Sequence, residues 1–165
     1  MSGDTKKKGE AEAAETVQTS LWNRPGFLIR RLHQIHVAMF LEECRAFDVT
    51  PVQYALMTAL MIEPGRDQIS LARDAGVDRT NVADVLQRLE QRGLVTRKLS
   101  TEDRRVKLAF LTAKGKTLTR DMEAAMLRAQ DRLVAPLSKK DREHLMKSLA
   151  ALVAANNEFS RAPTR

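Results

Sequence analysis

Apolar residues recur at helical spacing from Leu28 through Leu32 and Ile35 to Met39, behind Pro25, which suits the first turn of a helix. A helix is therefore predicted from Pro25 to about Phe47. A second helix starts at Thr50-Pro51-Val52-Gln53, where Thr50 can cap, Pro51 needs no amide donor, and Gln53 can close a capping box. Its apolar stripe is Leu56, Met57, Leu60 and Met61, and Glu63-Pro64-Gly65 stops it, because proline disfavours helix at the residue before it.

Residues 68 to 92 carry the most informative pattern. Gln68 to Ala75 reads as a short helix, Gly76-Val77 as a turn, and Asp78 as the cap of a second helix running to about Arg92. Two short helices joined by a glycine turn predict a helix-turn-helix, with Ala72, Gly76 and Val82 at the spacing of a small crossing residue, a turn former and an apolar anchor. Val82, Val85, Leu86 and Leu89 would face the core. Asn81, Asp84, Gln87 and Arg88 would face outward, with Arg79 and Thr80 at the exposed helix start, all able to reach base edges or phosphates. Asp84 is the awkward member, since phosphate repels a carboxylate, although it could accept from a cytosine amino group or orient Arg88.

After Gly93, Leu94 to Lys98 and Val106 to Leu111 read as two paired strands. The tip between them, Ser100-Thr101-Glu102-Asp103-Arg104-Arg105, has no core-forming residues and should project into solvent. Between Arg92 and Lys107 six basic residues face only Glu102 and Asp103, so the positive charge concentrates here. Such a basic hairpin beside a helix-turn-helix is a wing, whose arginines could enter a minor groove. Thr112 can cap a long helix carrying Leu118, Met122, Ala125, Ala129 and Leu133, broken near Pro136; Ser138 with Asp141 resembles a further cap. The last helix presents Leu145, Met146, Leu149, Leu152 and Val153 over more of its surface than one partner layer needs, which predicts association.

Composition narrows the classes. The 165 residues suit one domain, and the formal charge of +7 favours an anionic partner, nucleic acid before an acidic membrane surface. The lone Cys44 permits no intrachain disulfide, and no signal peptide or run of about 18 apolar residues is present, so a cytoplasmic location without membrane insertion is expected. Residues 1 to 20 read as a disordered, solvated tail. With no phosphate loop, nucleophile elbow or metal-binding helix motif, neither an enzyme nor a cofactor is expected. His33 and His36 share a helical face but have no third ligand nearby, so no metal is expected either.

Three segments, Leu89-Glu90-Gln91-Arg92-Gly93-Leu94-Val95-Thr96-Arg97, Asp103-Arg104-Arg105 and Leu111-Thr112-Ala113-Lys114-Gly115, together with the order of elements, resemble the MarR family of winged-helix transcription regulators over about residues 25 to 158. The resemblance implies a mostly α fold with a small β-hairpin wing. It implies one MarR-like domain over 21–165, with a winged helix at 50–112 and dimerisation helices at 21–47 and 113–160. It also implies a homodimer on a double-stranded DNA operator, with the helix after the short turn in the major groove. Arg105 then corresponds to the wing-tip arginine and Asp103 to the aspartate that holds it, with Arg104 between them.

Members of that family commonly respond to small aromatic carboxylates or their coenzyme A thioesters, and some to peroxide through a cysteine. The segment from Arg24 to His36 is similar to regulators of aromatic-acid catabolism. Trp22, Phe27, Tyr54 and Met57 could supply apolar walls, His33 and His36 hydrogen bonds, and Arg30 or Arg31 a counter-charge for an acid or phosphate. The expectation is a repressor released from a pseudo-palindromic operator by such a ligand. The alternatives are a scaffold that coats nucleic acid without specificity, or a redox sensor built on Cys44, for which neighbouring Arg45 is the only hint.

Overall fold

The computed structural model describes residues 21–160. The tail expected over 1–20 lies outside the described residues, as does the side chain of Arg79. The chain divides into two compact units with their boundary between Ala38 and Met39.

Helix α1 runs Pro25–Glu43. It stops short of the expected Phe47 because the chain tightens into a 3-10 turn at Arg45–Phe47, closed by Phe47 N–H donating to the Cys44 carbonyl at 3.0 Å and ended by left-handed Asp48. Helix α2 is Pro51–Ile62, started by the expected capping box: Gln53 N–H donates to Thr50 Oγ1 and Thr50 N–H to Gln53 Oε1. A two-residue strand β1, Arg66–Asp67, follows. Next come α3 at Gln68–Ala75, α4 at Arg79–Gln91, β2 at Val95–Leu99, β3 at Lys107–Leu111, α5 at Ala113–Val134 and α6 at Lys139–Ala155.

The turn between α3 and α4 uses Gly76 in the left-handed region, where its N–H closes α3 on the Ala72 and Arg73 carbonyls. Asp78 stands at the N-cap of α4 but its side chain makes no capping bond; its backbone carbonyl takes the Val82 N–H at 3.1 Å. Strand β1 was not expected: two residues carry no period, and the strand exists only through antiparallel pairing with β3, giving the sheet order β1-β3-β2. The β2–β3 hairpin pairs Val95 with Leu111 through Leu99 with Lys107, each strand starting one residue later than predicted.

The main core joins Leu56 and Leu60 of α2, Leu71 of α3, Val82, Leu86 and Leu89 of α4, and Leu94, Val95, Ala109 and Leu111 at the sheet. Each leucine or valine so withdrawn from water contributes about 1.5–3 kcal/mol, so this cluster locks α4 and the wing to one base. A second cluster packs Phe40, Cys44 and Val49 against Met122, Ala125 and Ala129 of α5. Glu43 receives Arg128 and Arg132 alongside it, and Glu42 also receives Arg132. Thr112 caps α5, and three residues on, Gly115 lies against the Leu94 carbonyl so closely that no Cβ would fit. Helix α6, by contrast, has no buried residue, and Met146, Leu152 and Val153 are each more than half exposed.

Candidate nucleic-acid interface

Helix α4 separates its faces as the sequence predicts. Val82, Leu86 and Leu89 are buried, while Thr80, Asn81, Asp84, Gln87 and Arg88 are exposed, at spacings of three and four residues that place them along one side. The structure brings five of the six expected helix contacts onto one open face, Asp84 included.

The wing tip is built from local bonds. Ser100 N–H donates to the Val106 carbonyl, and Ser100 Oγ accepts from the backbone of Glu102 and Asp103. Asp103 Oδ1 accepts Arg105 N–H at 2.9 Å and Arg105 Nε at 3.2 Å. These bonds hold the Asp103 carboxyl below its ordinary range, with the Arg105 side chain as the main cause and the Arg105 amide second. Arg105 nevertheless remains 91% exposed, so the aspartate aims the guanidinium without covering it. Arg104 is also exposed.

Further contacts fix the wing and α4 to their surroundings. Arg97 of β2 donates Nε and Nη2 to Glu90 Oε2 of α4, at 2.9 and 2.5 Å. Arg92, at the C-cap of α4, donates to the Asp48 and Phe47 carbonyls. Where α3 begins beside the wing, Arg73, Arg105 and Lys107 share a cleft of about 480 Å³ with Asp67, Gln68, Ile69, Ser70 and Val106. Asp67 is not an open acid there: it caps α3 by accepting from the Ile69 and Ser70 amides and the Ser70 hydroxyl. Burial pushes its carboxyl up, but those bonds outweigh burial and leave it below its ordinary value. Three cations and one engaged carboxylate make the cleft suited to an anion such as phosphate.

The expected ligand residues divide between the two units. In the first, Trp22 packs edge-on against Phe27 with ring centroids 4.9 Å apart, and the Arg30 guanidinium lies 5.8 Å above the Phe27 ring. Arg31 and His33 are exposed; His36 is half-buried, and burial, then the charge of His33, lowers its pKa. In the second unit Tyr54 lines a groove of about 480 Å³ with Ala55, Thr58, Ala59, Ile62, Glu63, Arg66 and Asp74. Met57 does not join it. Contrary to expectation it is completely buried in the main core, because Met57 sits one residue after Leu56 and one helical turn before Leu60 on the inward side of α2.

Thr58 and Arg66 were not anticipated. Thr58 lines this groove, and its Oγ1 is buried without a hydrogen-bond partner, a cost to the fold. Arg66 donates Nε and Nη2 to Asp74 and Nη1 to Glu63, so its charge is already engaged. Neither residue belongs to a motif, and Arg66 lies on β1, which has no sequence signature.

Cys44 is 1% exposed, and burial followed by the charge of Glu43 raises its pKa, with Arg128 opposing. The charge that dominates is an acid, not Arg45, so the thiolate a redox sensor needs is disfavoured. Among the described residues no three His, Cys, Asp or Glu side chains gather as a metal site, and no helix is long and apolar enough to cross a membrane.

Comparison with known proteins agrees with this architecture. The MarR family profile matches residues 49–107. A putative transcriptional regulatory protein for the hcr operon of Thauera aromatica is 30% identical over 156 residues, covering 92% of each chain. The transcriptional repressor CouR, solved on a 23-mer DNA duplex, is 30% identical with a TM-score of 0.74 over 81% of this chain and 94% of its own. BpsR of Bordetella bronchiseptica, whose DNA binding is regulated by 6-hydroxynicotinic acid, is 25% identical with a TM-score of 0.75 over 79% of this chain and 93% of its own. On the profile match and a relative 30% identical over nearly the whole length of both chains, the chain belongs to the MarR family of transcriptional regulators.

Proposed function

We propose that this regulator is a cytoplasmic homodimer that binds a pseudo-palindromic DNA operator and represses transcription until a small aromatic carboxylate, or its coenzyme A thioester, releases it. The observation that carries the DNA reading is the exposed polar face of α4 beside an Arg105 that is aimed outward by Asp103. Thr80, Asn81, Gln87 and Arg88 read or hold the major groove, Arg79 joins them by position, and Arg104 and Arg105 engage the minor groove or its phosphates. Asp84 then serves as an acceptor for a base amino group. The structural likeness to CouR on its duplex supports this assignment.

In this reading residues 50–112 form the DNA-binding part, and 21–47 and 113–160 supply the dimer contacts. Support comes from the apolar surfaces left open in a single chain: Leu28, Ile29, Leu32 and Ile35 on α1, and Met146, Leu149, Leu152 and Val153 on α6. Two copies related by a two-fold axis would present their α4 helices about 34–36 Å apart, one turn of DNA. The effector contacts in this reading are Trp22, Phe27, Arg30, Arg31, His33 and His36 in the first unit and, separately, Tyr54 in the second; Met57 is part of the core beneath α2. The likeness to BpsR, which responds to 6-hydroxynicotinic acid, supports an aromatic acid as the effector class.

Hydroxyl-radical footprinting of the upstream DNA of the gene tests the DNA reading. Two protected half-sites centred one helical turn apart are expected. Uniform protection along any duplex would favour the nonspecific scaffold instead.

A further inference from the structure

We infer that Arg92 is a positioning residue for DNA reading: held by two consecutive backbone carbonyls of the turn before α2, it sets the direction in which α4 points. The assignment rests on α4 and the wing being the DNA surface.

Arg92 closes α4, its N–H donating to the Arg88 carbonyl. Its side chain reaches back along the sequence to the segment joining α1 and α2, where Nη1 donates to the Asp48 carbonyl at 2.5 Å and Nη2 to the Phe47 carbonyl at 3.2 Å. Asp48, at φ 51° and ψ 49°, is the one non-glycine residue with positive φ among the described residues, and this left-handed turn presents the two carbonyls to one guanidinium. The Asp48 carboxylate is not what Arg92 reads: it is 98% exposed and 3.8 Å from Nη2. Lys114, in the first turn of α5, donates to the Arg92 carbonyl at 3.1 Å. The end of α4 is thereby tied both to the segment before α2 and to the start of α5.

The consequence lies at the other end of the helix. Thirteen residues make a lever about 18 Å long, so a tilt of about 5° at Arg92 moves Thr80 and Asn81 by about 1.5 Å, beyond the roughly 0.5 Å that specific polar contacts tolerate. An arginine near a DNA surface could instead touch phosphate. Here both terminal nitrogens already donate to backbone carbonyls of the same turn, which assigns Arg92 to orientation.

The two roles leave different marks on binding. Using the full chain, fluorescence anisotropy would compare a duplex from the gene's own upstream region with a scrambled duplex of equal length, across a salt series. Arg92→Ala is expected to lower the affinity ratio between the two duplexes at least tenfold, with nonspecific affinity and salt slope unchanged and helical circular dichroism retained. Arg92→Lys, which keeps a donor for one carbonyl, should restore part of the ratio. Asp48→Asn, which tolerates the left-handed turn and keeps both carbonyls, should match the wild type. An unchanged ratio in Arg92→Ala would overturn the assignment, as would equal losses on both duplexes with a shallower salt slope, the mark of a phosphate contact. Were Arg92→Ala to lose its fold, a full wild-type ratio in Arg92→Lys beside a lowered ratio in Asp48→Asn would overturn it, by making the charge pair the link. A wild-type chain that did not discriminate at all would overturn the DNA reading itself.

Discussion

Arg105 gives both its amide N–H and its Nε to one carboxylate oxygen of Asp103, at 2.9 and 3.2 Å, while 91% of its side chain faces solvent. A guanidinium restrained by its neighbour but open outward needs little further ordering to meet DNA. Arg105→Ala should therefore weaken operator binding about tenfold or more and reduce the log–log salt slope by about 1, leaving dimer formation unaffected. Asp103→Ala keeps the charge and frees the side chain, so a smaller loss with an unreduced slope is expected. Anisotropy titrations over a salt series check both, and an Arg105→Ala protein that binds as the wild type does would remove the wing tip from the mechanism.

Asn81 stands exposed in the first turn of α4. If it reads a base edge, Asn81→Ala should relax preference at one position in each half-site, at a cost of about 1–3 kcal/mol, and leave other positions alone. Binding selections from a randomised operator library measure this directly. A uniform loss across all sequences would mean that Asn81 contacts backbone.

Gly115 lies in the first turn of α5 against Leu94, the residue before β2, and a Cβ there would intrude on the Leu94 carbonyl oxygen. Backbone cannot swing aside as a long side chain can, so Gly115→Ala should destabilise the fold by about 1–3 kcal/mol or more. Thermal unfolding would show a melting temperature lower by at least about 3 °C. An unshifted transition would mean that the start of α5 relaxes freely.

Asp67 supplies a pH-dependent contribution. Its carboxyl is lowered on folding, so its stabilising effect is fully present above the ordinary carboxylate range and is lost as the pH falls through the depressed value, below about 4. Asp67→Ala should cost about 0.5–2 kcal/mol at neutral pH, the usual value of an N-cap. Asp67→Asn keeps the acceptor for the Ile69 and Ser70 amides and should retain most of the stability while flattening its decline in acid. Denaturant midpoints measured between pH 3 and 7 distinguish the two variants.

The features legible in the sequence are those written in local spacing. The Thr50–Gln53 capping box, the Gly76 turn and the two faces of α4 each depend on residues three or four apart, and all three form as expected. The Asp103–Arg105 contact joins residues only two apart and was legible through the family motif. What escaped depends on distant pairing. Strand β1 exists because β3 lies beside it, and Arg92 finds its carbonyls 44 and 45 residues back. On helix α2 the apolar stripe through Leu56, Met57 and Leu60 is buried as its spacing implies, which removes Met57 from the groove that Tyr54 lines; Thr58, outside any motif, lines that groove without a sequence signal. Cys44 stands between Glu43 and Arg45, and the Arg45 hint took no account of burial, which shows only in the fold, or of the Glu43 charge on its other side; both raise the thiol's pKa.

In the proposed function, ligand occupancy controls sequence-selective DNA binding. The direct measurement is a titration of the full chain against its own upstream DNA and against a random duplex, at one near-physiological salt concentration, with and without a panel of aromatic acids and their coenzyme A thioesters. Selective binding by about a thousandfold, abolished by one compound or a closely related group, is the predicted result. Equal binding to both duplexes, unaffected by every compound, would contradict the account and favour a nonspecific nucleic-acid scaffold.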